Sequence, residues 1–307
     1  MNENKVLNFL QKVSKCPICK KKKFNNLGKI KKFHNNSLQN KLDLIQCYSC
    51  RHAFISKMPN QNILNNLYKS GSSSFLHGDY KSKSLIKEKF KKKNTQVKIF
   101  TSHWIYQYCK DYKPKRYFDV GPGNCGLLNT FKHFGWKCEG YELQNWIKGK
   151  GIYNNFNKIP KNNKDVLVFD NILEHVVDPE KYLKTFSKFQ KSKSKLFLSF
   201  PNITSTKGKI FKSNWSMVIP LAHLNFFSIQ STKIMLEKSG YKPILIKTHS
   251  LVGLKKLIRS IIRLPITLVS DLIKFDIKKA VHRICEILIN ILDLTCGDQI
   301  HVVAEKK

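Results

Sequence analysis

From residue 116 onward the apolar residues gather into short, nearly continuous runs separated by polar stretches. The runs are RYFDV (116–120), KCEGYEL (137–143), DVLVFD (165–170), KLFLSF (195–200), KPILIK (242–247) and IHVVAEK (300–306). Such runs read as strands, and the helical stretches between several of them predict an open α/β sheet with short crossovers. A different pattern occupies 253–296. There GLKKLIRSIIRLPITLVSDLIKF and IKKAVHRICEILINILDL place Leu254, Leu257, Ile258, Ile261 and Ile262, then Val281, Ile284, Ile287, Leu288, Ile291 and Leu292, at helical spacing. These are basic amphipathic helices broken near Pro265. Their apolar stripe suits a core or dimer face, or contact with a membrane surface. No internal repeat is present.

The N-terminal part lacks the strand–helix alternation. Residues 56–110 read as a connector in which GSSSFLHGDY (71–80) is a loop. KSLIKEKFKKKNTQVKIFTSHWIYQYC (83–109) is a basic helix with an apolar face through Leu85, Ile86, Phe90, Val97, Ile99 and Trp104. The predicted organisation is a small module over 1–58, a basic helical connector over 59–110, and an α/β domain over 111–307 carrying the amphipathic helices as an insertion.

Four of the nine cysteines explain the small module. CPIC (Cys16, Cys19) and CYSC (Cys47, Cys50) are two C-x-x-C knuckles with twenty-seven residues between them. Each knuckle presents two sulfurs to one ion, so the pair can supply a tetrahedral thiolate cage for zinc in a ribbon-like fold. A closed four-sulfur shell leaves no open coordination position, which makes its role structural. His34 and His52 lie close by as substitute ligands, but four thiolates already complete the shell.

Charge adds less than its size suggests. A formal net charge of +36 fits a polyanionic partner or an acidic membrane, yet the lysines are spread through loops and helices without one basic, aromatic-interleaved motif. A hydrophobic content of 41% excludes a wholly disordered chain. The first fifteen residues hold no signal-peptide core, and no segment is apolar enough to span a bilayer. Together with cysteines not arranged like a secreted disulfide framework, this predicts a reducing cytoplasm, with peripheral membrane contact through 253–296 as a further expectation.

The chemistry concentrates at FDVGPGNCGLL (118–128), a glycine turn between a strand and a helix. Such turns bring backbone N–H groups close to a ligand at a helix N-terminus. The Gly-Lys-Ser/Thr ending of a nucleoside triphosphate loop is missing. Gly121, Gly123 and Gly126 do match a dinucleotide fingerprint, and Glu142 lies at the right distance to bind a ribose. Against a pyrophosphate, however, stands Asp119 at the strand end. A carboxylate there suits a ligand bearing an ammonium group.

These features resemble the class I S-adenosylmethionine-dependent methyltransferases, especially small-molecule enzymes with an N-terminal cysteine zinc module. FDVGPGNCG matches the acidic-x-Gly-x-Gly-x-Gly motif, with Cys125 in the third glycine position. GYE ends in the ribose-binding acid, DNILEHVVDP resembles the fourth motif, and HLNFFS a segment near the acceptor pocket. The resemblance implies a doubly wound Rossmann-like sheet. It further implies a cofactor site of Asp119 (ammonium), Gly121, Pro122 and Gly123 (backbone contact), Glu142 (ribose) and Asp170 (methionine portion). Where an adenine-contacting acid often falls, this chain has Asn154 and Asn155, so no adenine contact is assigned there.

A methyl sulfonium is already activated, so transfer is an in-line displacement governed by positioning. A base helps when the acceptor is a hydroxyl or a C–H acid, and the candidates are His175 and His223. The fourth motif lacks the Asp/Asn-Pro-Pro-aromatic sequence of nucleic-acid amino methyltransferases. The resemblance, to enzymes that often act on sugars and secondary metabolites, implies a small-molecule or glycan acceptor, lipid- or nucleotide-linked, with an RNA methyltransferase gripping its substrate through the zinc module and connector as the alternative.

Overall fold

The computed structural model describes residues 9–31, 42–69, 104–109, 115–123, 125–144, 149–219, 221–250, 254–273, 276–293 and 296–307. The expected loop at 71–80, the basic helix before residue 101 and His34 lie outside these residues.

In chain order the elements are β1 (Gln11–Lys12), β2 (Phe24–Lys29), β3 (Asp43–Cys47), β4 (Ala53–Ile55), β5 (Lys57–Met58) and α1 (Gln61–Lys69). The larger part follows with β6 (Arg116–Val120), α2 (Gly126–His133), β7 (Lys137–Tyr141), β8 (Ile152–Tyr153), β9 (Lys164–Asp170), α3 (Pro179–Ser187) and β10 (Gln190–Pro201). It closes with α4 (Thr206–Phe211), β11 (Asn225–Phe226), α5 (Ile229–Lys238), β12 (Tyr241–His249), α6 (Leu254–Ile273), α7 (Ile277–Asp293) and β13 (Gln299–Lys306).

All six predicted runs form strands of one seven-stranded sheet, ordered β12-β13-β10-β9-β6-β7-β8. β8 to β7, β7 to β6, β6 to β9 and β9 to β10 pair in parallel, whereas β13 runs antiparallel to both neighbours. This is the doubly wound Rossmann-like arrangement of class I methyltransferases, and its strand order reverses between β6 and β9. β8 was not foreseen, because two half-buried residues at a sheet edge leave no apolar run. Pro243 is tolerated in β12 because that strand is an edge, where a missing N–H costs no ladder bond.

The near-continuous apolar runs follow from burial on both faces. Tyr117, Val166, Val168, Phe197 and Val303 point to one side and join Leu127, Leu128, Phe131 and Trp136 of the α2 region. Their alternates Phe118, Leu167, Phe169, Leu198 and Val302 point to the other, against Leu183 and Phe186 of α3 and Leu236 of α5. Helix starts carry their sequence signals. Asp178 caps α3, accepting the Lys181 N–H at 3.0 Å, with Pro179 at the first helical position. Ser228 and Ser231 form a reciprocal capping box at α5.

The N-terminal module is not a separate bead. Its four-stranded sheet runs β11-β4-β3-β2, so its edge strand comes from residues 225–226 of the larger part. Ile18, Leu44, Phe54 and Ile55 share one continuous core with Phe200, Phe226 and Leu236.

Candidate functional site

The two cysteine knuckles adopt the same local geometry. In each, the first cysteine carbonyl accepts an N–H from four residues on: Lys20 N to Cys16 O at 3.0 Å, and Arg51 N to Cys47 O at 2.9 Å. In each, the first cysteine N–H donates to the carbonyl five residues on, Lys21 or His52, at 2.9 and 2.8 Å. Lys20 and Arg51 complete the tight turns with φ of +63° and +59°. The four sulfurs converge, with Cys16 Sγ 3.5 Å from Cys50 Sγ and Cys19 Sγ 3.4 Å from Cys47 Sγ. Bonds of about 2.3 Å to one ion would hold tetrahedral sulfurs roughly 3.8 Å apart, so the predicted ligand set fits zinc after a few tenths of an ångström of adjustment.

His52, set aside as a bystander, does structural work instead. It is buried, and its Nε2 lies 2.9 Å from Asn225 Oδ1, while Asn225 Nδ2 donates to Val176 O at 2.6 Å. Ser228 Oγ donates to Cys50 O at 2.7 Å, and the Val177 N–H donates to Gln61 Oε1 at 3.0 Å. Hydrogen bonds thus run from the knuckles to the loop that follows β9.

That loop forms one wall of a crevice at the carboxyl ends of β6, β7 and β9, where open α/β sheets place ligands. The crevice is half open, holds about 210 Å³ and is lined by Gly121, Gly123, Glu142, Gln144, Asn171, Ile172 and His175 among others. Gly121 has φ +71°, and a Cβ there would stand 2.3 Å from Ile172 Cδ1. Gly140 of β7 has no room either. A Cβ on it would meet the Asp119 carbonyl at 2.9 Å and Pro122 Cγ at 3.3 Å. Pro122 is accordingly packed behind the turn rather than in the crevice wall. Cys125 sits at φ +58°, a conformation that favours glycine, which supports its placement at the third glycine position of the motif.

The predicted acids occupy different depths. Glu142 lies in the wall and is 7% exposed, and its Oε1 accepts the Gln144 N–H at 3.0 Å. Burial raises its pKa, opposed by the N–H groups of Gln144, Gly123 and Leu143. Asp119 lies deeper at 3% exposure, and its Oδ2 accepts the Tyr117 hydroxyl at 3.2 Å. After burial, the charges of Asp119 and Glu142 are what push the Cys125 thiol up, so both carboxylates flank the glycine turn. Asp170 is outside the wall. Its Oδ1 accepts the Ser199 hydroxyl and, at 3.0 Å, Asn171 Nδ2, while Asn171 itself lines the crevice. Asn154 holds the β7 loop in place by donating to Glu142 O at 2.8 Å.

The two candidate histidines come together. Their rings lie edge to face with centroids 4.8 Å apart. His175 Nδ1 is 2.7 Å from Ala222 O, and His223 Nδ1 is 2.6 Å from Met217 O. Glu174 completes the group. It is 1% exposed, and burial pushes its carboxyl up to about 8.

Sequence reasoning missed the opposite wall. Gln61, Leu64, Asn65 and Tyr68 of α1 line the crevice, and the Tyr68 hydroxyl lies 3.4 Å from His175 Nδ1. The signal was available. Asn60 accepts the Ile63 N–H at 3.0 Å as a helix cap, and Ile63, Leu64, Leu67 and Tyr68 recur at helical spacing.

Residues 98–246 match a family model described as a methyltransferase domain. No curated protein matches the chain. Among solved structures it is similar to phosphoethanolamine N-methyltransferase 2 of Haemonchus contortus, at 13% identity, covering 87% of this chain and 64% of that one, with a TM-score of 0.50. It is also similar to a SAM-dependent methyltransferase of Archaeoglobus fulgidus (18% identity, 74% and 100% covered, TM-score 0.45). A third is the 1,6-didemethyltoxoflavin-N1-methyltransferase of Burkholderia thailandensis (8% identity, 90% and 98% covered, TM-score 0.49). Residues 98–246 are thus a methyltransferase domain, carried on a sheet of the class I Rossmann-like kind.

Proposed function

We propose that this chain, an S-adenosylmethionine-dependent methyltransferase, methylates a small-molecule or glycan acceptor held between α1 and the loop following β9. The observation that carries this reading is the crevice itself. Two buried carboxylates, Asp119 and Glu142, flank a glycine turn in a chain of net charge +36, so the local field favours a cationic ligand against the protein's overall charge. The backbone at Gly121 and Gly123 would lie against the amino-acid portion, with Asp119 beneath its ammonium. Glu142 would accept from the ribose hydroxyls. Asp170, through its bond with Asn171, would hold that residue against the methionine portion. The four thiolates of Cys16, Cys19, Cys47 and Cys50 would hold a structural zinc ion.

Chemistry follows at the sulfonium. A lone pair of the acceptor attacks the methyl carbon in line, and the carbon–sulfur bond breaks with its electrons returning to sulfur. The products are the methylated acceptor and S-adenosylhomocysteine. Where the acceptor is a hydroxyl, its proton leaves at the cluster of Glu174, His175 and His223. Tyr68, Tyr141 and Tyr182 line the crevice, whose narrow width suits a sugar or comparable ring rather than a duplex.

Incubation of the purified protein with methyl-labelled cofactor and separate pools of nucleotide sugars, lipid-linked glycans and RNA tests the acceptor class. Label is expected in a sugar-containing pool and to persist at high salt. Label confined to RNA, falling steeply with salt, would overturn it.

The helices α6 and α7 favour a lipid-linked member of that class. Ile262, Ile266, Ile277, Val281, Leu288 and Leu292 are between 53% and 74% exposed, and Arg259 and Arg263 lie exposed among them. No described helix is long and apolar enough to cross a membrane. An apolar stripe edged by basic residues suits an anionic interface. The protein should co-float with vesicles containing phosphatidylglycerol, and Ile262→Asp with Ile266→Asp should release it without altering cofactor binding.

A further inference from the structure

Glu174, His175 and His223 each contribute one donor atom to a group lying within 4.8 Å of one another, and His175 Nε2 stands 4.0 Å from Glu174 Oε1. Glu174 and His223 are buried, and His175 borders the crevice. Four features separate this group from an ordinary buried hydrogen-bond cluster. First, both imidazoles are oriented by backbone: each Nδ1 lies within 2.7 Å of a main-chain carbonyl, His175 on Ala222 and His223 on Met217. A carbonyl accepts only from N–H, so each ring carries its proton on Nδ1 and presents Nε2 as a basic nitrogen. That backbone-held tautomer is how metal-binding histidines are set. Second, Glu174 Oε2 is fully buried without a hydrogen-bond partner among the described residues, a costly state for a carboxyl that a cation would relieve. Third, two imidazoles and one carboxylate form a donor set suited to zinc or a neighbouring first-row divalent ion, with positions left for outside ligands. Fourth, the distances are within reach. Bonds of about 2.0–2.1 Å place tetrahedral donors roughly 3.3 Å apart, so side-chain adjustments of about 1.5 Å or less would close the group around an ion.

We infer that Glu174, His175 and His223 form a divalent transition-metal site at the acceptor end of the crevice, distinct from the four-thiolate site. The inference rests on reading the crevice as the place of methyl transfer and gives that reading an acceptor preference. An ion held there would border the crevice through His175, so it would favour an acceptor offering a hydroxyl, or a pair of adjacent oxygens, over one offering only amines. The two imidazoles would then serve as ligands, and the ion would supply the lowered hydroxyl pKa by which an acceptor gives up its proton at this cluster.

The test titrates cobalt(II) into the full chain with its thiolate site already zinc-filled, following heat and visible absorption. One further equivalent is expected, with ligand-field bands and no sulfur-to-cobalt charge-transfer band. His223→Gln and Glu174→Gln should each weaken uptake at least tenfold, with melting curves checking that each folds. Should Glu174→Gln fail to fold, His223→Gln decides alone. Absence of a second equivalent, or uptake unchanged by His223→Gln, overturns the site. Titration of adenosylhomocysteine into the same proteins keeps the two readings apart. Cobalt bound without the nucleoside sinks the crevice assignment, and nucleoside bound without cobalt sinks only the metal.

Discussion

Glu142→Ala should raise the dissociation constant for S-adenosylmethionine about a hundredfold while the protein stays folded. Hydrogen bonds to a charged group contribute roughly 1.5 kcal/mol or more each, so losing two from the ribose removes about 3 kcal/mol, a factor near 100. Folding should be nearly indifferent, because the side chain's own balance is close. Burial disfavours the carboxylate, while the N–H groups of Gln144, Gly123 and Leu143 favour it. The loop position also survives the change, since Asn154 bonds the backbone carbonyl of Glu142 rather than its side chain. Glu142→Gln keeps the shape and one acceptor oxygen and should fall between the two. Calorimetry with the cofactor and with adenosylhomocysteine measures both. A change below about threefold in the alanine variant would remove Glu142 from the ribose.

Removing the metal from the thiolate site should be the most damaging single perturbation of the fold. Structural zinc in small modules contributes about 10–16 kcal/mol of apparent binding energy, comparable to the roughly 5–15 kcal/mol that holds a whole domain together. Cys16→Ser, or a strong chelator, should therefore unfold the N-terminal sheet. The effect should spread because the module does not stand alone. Its β4 pairs with β11, Cys50 O accepts from Ser228, and His52 reaches Asn225 and thence Val176. Losing even about 4 kcal/mol should lower the melting temperature by roughly 10 °C. Since Gln61 of α1 braces Val177, next to Val176 of the crevice wall, adenosylhomocysteine affinity should fall as well. A protein that yields no zinc to the chelator and melts unchanged would remove the structural ion.

The sheet was legible because parallel strands buried on both faces must be apolar throughout, and RYFDV or DVLVFD cannot be mistaken for an amphipathic helix. Gly121, Gly123 and Glu142 were legible for a related reason. Their chemistry is local to a turn and the strand beside it, and all three line the crevice. Cys16, Cys19, Cys47 and Cys50 announced themselves because each knuckle is a self-contained turn. The α1 wall was not foreseen. Tyr68 and His175 lie 107 positions apart, and only the folded connector brings them within 3.4 Å. Glu174 carried no signal for the same reason: nothing in LEHV tells that His223 will pack edge to face against His175.

What the chain alone determined was therefore everything encoded by short-range rules. These are strand and helix periods, caps, the glycine turn and two metal-type knuckles. What the tertiary structure decided was adjacency: a zinc-type module sharing a sheet with β11, a helix closing the crevice, and a buried carboxyl set between two imidazoles. Such contacts span tens to hundreds of residues, and no local propensity carries a signal for them. They arise when separate apolar faces find a common core and leave the polar groups at its edge to pair.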